Sequence, residues 1–181
     1  MNYTFSSDWV SQHADNWRSW FAHLIGKPNV RLLEVGCWEG RSACWWLENV
    51  LTDPTSRLTC VDPFAWVDNS ARFKSNIVAS GQSHRVEVIR EFSSRALPRL
   101  IEQGRQFDLI YIDGSHFARD VLLDGLLALS LLKPDGLLLF DDYPYRNENG
   151  SPGPGAAIDA LVACCGLHVI HHGWQVVLRS G

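Results

Sequence analysis

"FDLIYIDGSHFARDVLLDGLLALSLLKPDGLLLFDDY" (107–143) decides the architecture. Its opening "FDLIYID" is apolar apart from Asp108 and the closing Asp113, the pattern of a strand buried on both faces. From Phe117 to Leu132 apolar residues recur at helical spacing, and "DGLLLFD" (135–141) returns to a buried strand. Strand, helix and strand in that order make a parallel βαβ unit, because parallel neighbours need a long crossover. Both strands end on acid, Asp113 after the first and Asp141-Asp142 after the second. Adjacent carboxylates repel, so this pair either caps a surface turn or shares a cation. Tyr143-Pro144 marks the strand's end, since proline cannot donate to a ladder.

The same alternation runs outward in both directions. Strands are expected at 30–35, 57–62 and 85–90, helices at 41–51, 69–80, 93–104 (interrupted at Pro98) and 156–165. "LHVIHHGWQVVLR" (167–179) reads as two strands turning at His172-Gly173, which leaves His168, His171 and His172 to the ordinary alternating exposure of a strand. The expected fold is α/β: a Rossmann-like, doubly wound, mostly parallel seven-stranded sheet with a C-terminal antiparallel strand and helices on both faces. It forms one domain over 1–181, an N-terminal aromatic helical segment (1–29) leading into the core (30–181). In that segment Trp9, Trp17, Trp20, Phe21 and Leu24 fit one broad helical face, which would pack on the sheet or on a second subunit as a homodimer, or close as an aromatic lid over the ligand site.

Composition narrows the partners. The net charge of −4 opposes nonspecific nucleic-acid binding, which needs a basic surface. No stretch approaches membrane-spanning length, and the N-terminus lacks the basic start and apolar run of a signal peptide. The cysteines Cys37, Cys44, Cys60, Cys164 and Cys165 form no CxxC pair or zinc spacing and read as buried free thiols of a cytoplasmic protein.

In an open parallel sheet ligands bind beyond the carboxyl ends of the strands, so those ends carry the functional expectations. "LLEVGCWEGRSA" places Glu34, Gly36 and Gly40 around a tight strand-to-helix turn; its GxxxG spacing is not the GxGxxG of dinucleotide folds, which disfavours a dehydrogenase. Asp62, ahead of Pro63, is placed to accept hydrogen bonds from ribose hydroxyls, with Phe64 and Trp66 offering apolar surface to a base. Asp113, Asp141 and Asp142 emerge together from two strands, and oxygen ligands suit Mg²⁺ or Ca²⁺. His116 follows closely enough to take a proton near neutral pH.

"LLEVGCWEGRS", "CVDPF", the 107–143 stretch and "GWQVVLR", in this order over residues 30–179, resemble a class I S-adenosylmethionine-dependent methyltransferase. The branch resembled is a small bacterial family with IDGxH after the fourth strand; Asp135 stands where that family often has glycine. The resemblance implies S-adenosylmethionine contacts at Glu34, Gly36, Cys37, Gly40, Asp62, Pro63 and Asp113, with Phe92 or Ser93 bordering the adenine. Asp113, Asp141 and Asp142 resemble the three-aspartate Mg²⁺ site of metal-dependent sugar and catechol O-methyltransferases, whose metal holds an acceptor hydroxyl. Ser115 replaces a second acid often found there, so His116 and Asp113 are the catalytic candidates. The implied acceptor is a small molecule, and the Gly/Pro-rich stretch 143–155 is expected to cover its pocket. Two alternatives stay open: a metal-independent enzyme using His116 as base, and a noncatalytic nucleoside-binding protein of the same fold.

Overall fold

A computed structural model describes residues 2–65 and 67–179; the expected Trp66 surface lies outside the described residues. Seven strands form one sheet: β1 (Arg31–Val35), β2 (Arg57–Val61), β3 (Val86–Ile89), β4 (Phe107–Ile112), β5 (Leu132–Phe140), β6 (His168–His172) and β7 (Val176–Arg179). Their order is β3-β2-β1-β4-β5-β7-β6, with β7 antiparallel to both neighbours and the other pairings parallel. Strand order reverses between β1 and β4, which opens the crevice where such sheets bind ligands.

Among the described residues six helices cover the sheet: α1 (Ala14–Trp20), α2 (Arg41–Asn49), α3 (Val67–Ala79), α4 (Ser93–Glu102), α5 (Ala118–Leu131) and α6 (Pro154–Cys165). Alternation along each strand divides the core in two. One face buries Leu32, Leu58, Leu109 and Leu139 with α2, α3 and the N-terminal segment; the other buries Leu33, Ile110, Leu138 and Phe140 with α4, α5 and α6. Among the described residues no helix is long and apolar enough to cross a membrane.

Local expectations are corrected in several places. Pro98 lies inside α4 without interrupting it. The helix begins only at Ser93, and burial of Ala96, Leu97 and Leu100 outweighs the one backbone bond that proline removes. The N-terminal aromatics do not share one helical face, because α1 has only seven residues and a 3₁₀ turn (Ala22–Leu24) follows. Trp17, Phe21 and Leu24 are buried on their own sheet, whereas Trp9 precedes the helix and is exposed. Cys37, Cys44 and Cys60 are buried free thiols, but Cys164 is exposed. Asp135 adopts φ +62°, a left-handed conformation that glycine takes without a Cβ penalty.

Candidate active site

The carboxyl edge of β1, β2, β4 and β5 gathers the predicted residues. Gly36 ends β1 at φ +86°, and a Cβ there would fall 2.1 Å from the Asp113 carbonyl oxygen, so only glycine lets the β1 turn pass the end of β4. Gly40 (φ +80°) then caps α2 against Phe73. The intervening turn is clamped to β2: the Cys37 and Trp38 amides donate to Asp62 Oδ2 at 2.8 and 3.1 Å, while the Phe64 amide donates to Oδ1 at 2.6 Å. A carboxylate offers about four acceptor sites, so Asp62 keeps one for an incoming hydroxyl. Phe64 is itself buried against Phe73 and presents no stacking surface.

Glu34 lies beneath the turn, fully buried, and accepts a short hydrogen bond from Ser42 Oγ. Burial, with the Asp62 charge nearby, pushes its carboxyl up to about 8. The thiols of Cys37 and Cys60 share this enclosure and are raised as well, chiefly by burial. Phe92, exposed, precedes α4 and faces solvent at the same edge; Asp124 of α5 is buried, which raises its carboxyl to about 6. Pro63 is half-buried beside Asp62.

Across the crevice, the three aspartates divide. Asp113, Asp142 and His116 bring their donor atoms within 4.8 Å of one another, with His116 Nε2 2.9 Å from Asp142 Oδ2. That hydrogen bond raises the His116 proton affinity. Asp113 is also raised, first by burial and then by the Asp141 and Asp142 charges. Asp141 points elsewhere: its Oδ2 receives the Tyr111 hydroxyl and Gln175 Nε2 (2.7 Å), and its Oδ1 receives the Asp142 amide (2.8 Å). Gln175 is held in turn by Trp17, whose indole donates to its Oε1 at 2.6 Å. Tyr111 Oη also lies 2.9 Å from Asp113 Oδ2, so its single proton is shared between the two carboxylates. Trp17, Gln175 and Tyr111 were not among the expected site residues. Tyr111 sits two residues before Asp113 and therefore on the same strand face, a signal available in "YID"; Gln175 and Trp17 reach the site only through the fold.

Backbone strain concentrates here too. Of the non-glycine residues at positive φ, Trp38, Phe64 and Asp142 lie just past β1, β2 and β5. Each such conformation costs about 1–3 kcal/mol and persists where surrounding contacts demand it. Beyond His116, a cavity of about 420 Å³ opens between the start of α5 and the 143–155 loop, lined by Phe117, Ala118, Arg119, Ser151 and Pro152. Asn147 ties that loop to the site by donating to the His116 carbonyl at 2.9 Å.

A family model described as a methyltransferase domain matches residues 33–143, more than half of the chain and all four of these strand ends. The chain belongs to this methyltransferase-domain family. Its fold is that of the class I S-adenosylmethionine-dependent methyltransferases. The methyltransferase domain superposes on the O-methyltransferase TomG of Streptomyces achromogenes, involved in tomaymycin synthesis and solved with S-adenosylmethionine (TM-score 0.75, 19% identity, 97% of this chain and 82% of that one). It also superposes on an O-methyltransferase of Bacillus cereus solved with S-adenosylhomocysteine (TM-score 0.73, 17% identity, 99% and 85%). In sequence it is 26% identical to the uncharacterized protein R132 of Acanthamoeba polyphaga mimivirus over 78% of this chain, a match spanning 63% of that relative's length.

Proposed function

We propose that the protein transfers the methyl group of S-adenosylmethionine to a hydroxyl of a small molecule. The carrying observation is one crevice that sets the Asp62-clamped glycine turn beside the converging Asp113, His116 and Asp142. The turn would hold the methionine end of the cofactor over Gly36 and Cys37, the open acceptor site of Asp62 a ribose hydroxyl, and exposed Phe92 a face of the adenine. The cofactor supplies an activated methyl group on a sulfonium. In the transfer the acceptor oxygen forms the new C–O bond as the S–C bond breaks in line, and the hydroxyl proton must leave. The cavity beside Phe117 and Pro152 suits a compact, partly apolar acceptor, and the O-methyltransferase neighbours agree with oxygen as the nucleophile.

The donor chemistry of Asp113, Asp142 and His116 fits a divalent cation, with Asp141 committed to Tyr111 and Gln175 as a support. Such a cation supplies Lewis acidity that lowers the acceptor's pKa. An imidazole in the set admits Mn²⁺ or Fe²⁺ alongside the Mg²⁺ expected of three carboxylates. A second reading rests on the 2.9 Å His116–Asp142 contact: without metal, Asp142 orients His116 and the imidazole takes the hydroxyl proton itself.

Calorimetry with S-adenosylhomocysteine tests the cofactor assignment, and absence of binding removes the methyltransferase reading. For activation, turnover of a hydroxylated acceptor is followed in EDTA and after readdition of Mg²⁺ or Mn²⁺. Loss and recovery support the cation; full activity in EDTA, abolished by His116→Ala, supports the His116–Asp142 pair.

A further inference from the structure

The amino edge of the sheet, opposite the reaction crevice, collects arginine. Arg31 and Arg57 are direct partners at the first register position of β1 and β2. Arg85 immediately precedes β3, and Arg105 lies two residues before β4. Together with His84 these four of the chain's 13 arginines line a cavity of about 300 Å³, whose remaining wall is Leu58, Thr59, Val86 and Glu87.

Not all of this charge serves the fold. Arg85 does: it is buried, and its Nη1 donates to the carbonyls of Leu51 (2.7 Å) and Asp53 (2.9 Å). Arg105 does as well, through Glu87 (2.8 Å) and Thr59 (3.1 Å). Arg57 donates only through Nη1, to the Pro54 and Ser56 carbonyls. Among the described residues the Arg31 guanidinium makes no hydrogen bond and no ion pair; it acts on Glu87 only through its charge. Like charges on directly paired strand positions are destabilising. Here two stand side by side, next to a buried third, with Glu87 the sole carboxylate in the lining and already matched to Arg105. That leaves an excess of forked cationic donors around a concave space, on a chain whose net charge is −4.

We propose that this cavity binds a small phosphate-bearing anion, gripped by Arg31 and Arg57 against the fixed charges of Arg85 and Arg105. Guanidinium forks match phosphate oxygens in pairs, which distinguishes an arginine cluster from scattered lysines. The basic residues line one open concave space and the lining shows no track of charge leading from it, so the occupant is a small molecule, and a nucleic-acid strand would find no continuation of the charge. The site lies at the far edge of the sheet from Asp62 and Asp113 and is separate from the methyl-transfer crevice.

The test is calorimetry of the full chain with inorganic pyrophosphate, orthophosphate and ADP, at an ionic strength held constant with sodium chloride. Saturable binding is expected, weakened at least about tenfold in Arg31→Gln/Arg57→Gln through loss of two charge-assisted forks, while S-adenosylhomocysteine affinity stays unchanged. Pyrophosphate equal to ADP indicates an inorganic ligand, ADP tighter indicates an organic phosphate, and either supports the site. Wild-type binding no stronger than the double variant's overturns it, as does the absence of saturable binding by all three anions. Should the double variant fail to fold, Arg31→Gln alone serves, because its guanidinium holds no structural partner among the described residues.

Discussion

At the level of single residues, two positions govern the crevice. Gly36→Ala would put a methyl 2.1 Å from the Asp113 carbonyl oxygen at φ +86°, forcing β1 and β4 apart. A loss of roughly 3 kcal/mol or more is expected from overpacking combined with strain, measured as a shift in urea midpoint at unchanged slope. Asp62→Ala removes the acceptor of three backbone amides, those of Cys37, Trp38 and Phe64. Its affinity for S-adenosylhomocysteine should fall at least about tenfold, the scale of one lost charged hydrogen bond; equal affinity in calorimetry would reject the ribose assignment. The places of both residues were legible in the sequence, because the alternation of strands and helices puts a glycine and an acid at consecutive strand ends. That Asp62 clamps the turn after β1 through the Cys37 and Trp38 amides was not legible, since it depends on how β1 and β2 register.

At the level of elements, the N-terminal segment supports the active site. α1 seats Trp17 over the sheet, and its indole starts a hydrogen-bonded chain through Gln175 and Asp141 to Tyr111 and Asp113. Gln175→Leu should therefore cost about 1–3 kcal/mol, because it strands the buried Trp17 indole and leaves Asp141 Oδ2 with Tyr111 alone. It should also weaken Mn²⁺ binding, measured by titration, whereas Gln175→Glu keeps an acceptor for Trp17 but sets a second carboxylate against Asp141. Undiminished Mn²⁺ affinity in Gln175→Leu would show that the chain has no bearing on the cation. The periodicity of 107–143 and the acidic strand ends made the sheet and most helices readable. The N-terminal segment was misread because a run of aromatics carries no record of where its helix stops: Trp9 matched the spacing, yet the chain is not helical there. The split among Asp113, Asp141 and Asp142 was equally hidden. Only the turn after β5, with Asp142 at φ +57°, sends the adjacent side chains to different partners.

Across the whole molecule, buried acids set the response of stability to pH. Glu34 is raised in the folded chain to about 8 from an ordinary 4.5, so the native state holds a proton that the unfolded chain releases. The stability this contributes is complete below about pH 4.5 and is lost as pH rises toward 8. Asp124, raised to about 6, acts with the same sign in the lower part of that range. The ligand-free protein should unfold at progressively lower denaturant between these limits, and Glu34→Gln should flatten the upper part of the curve; an unaltered slope would show that Glu34 is ionised within the fold. The sheet separates two chemistries, acids and the reaction crevice at the carboxyl ends and arginines at the amino ends. The tryptophan cluster beneath the crevice has an optical consequence. Trp17 stacks on Trp46 with ring centroids 4.2 Å apart, and Trp45 meets each edge-on at 5.0 Å. Indoles this close couple their excited states, so the near-ultraviolet circular dichroism of the protein should carry a strong paired band that collapses in Trp17→Phe, a direct spectroscopic gauge of whether the N-terminal segment is seated.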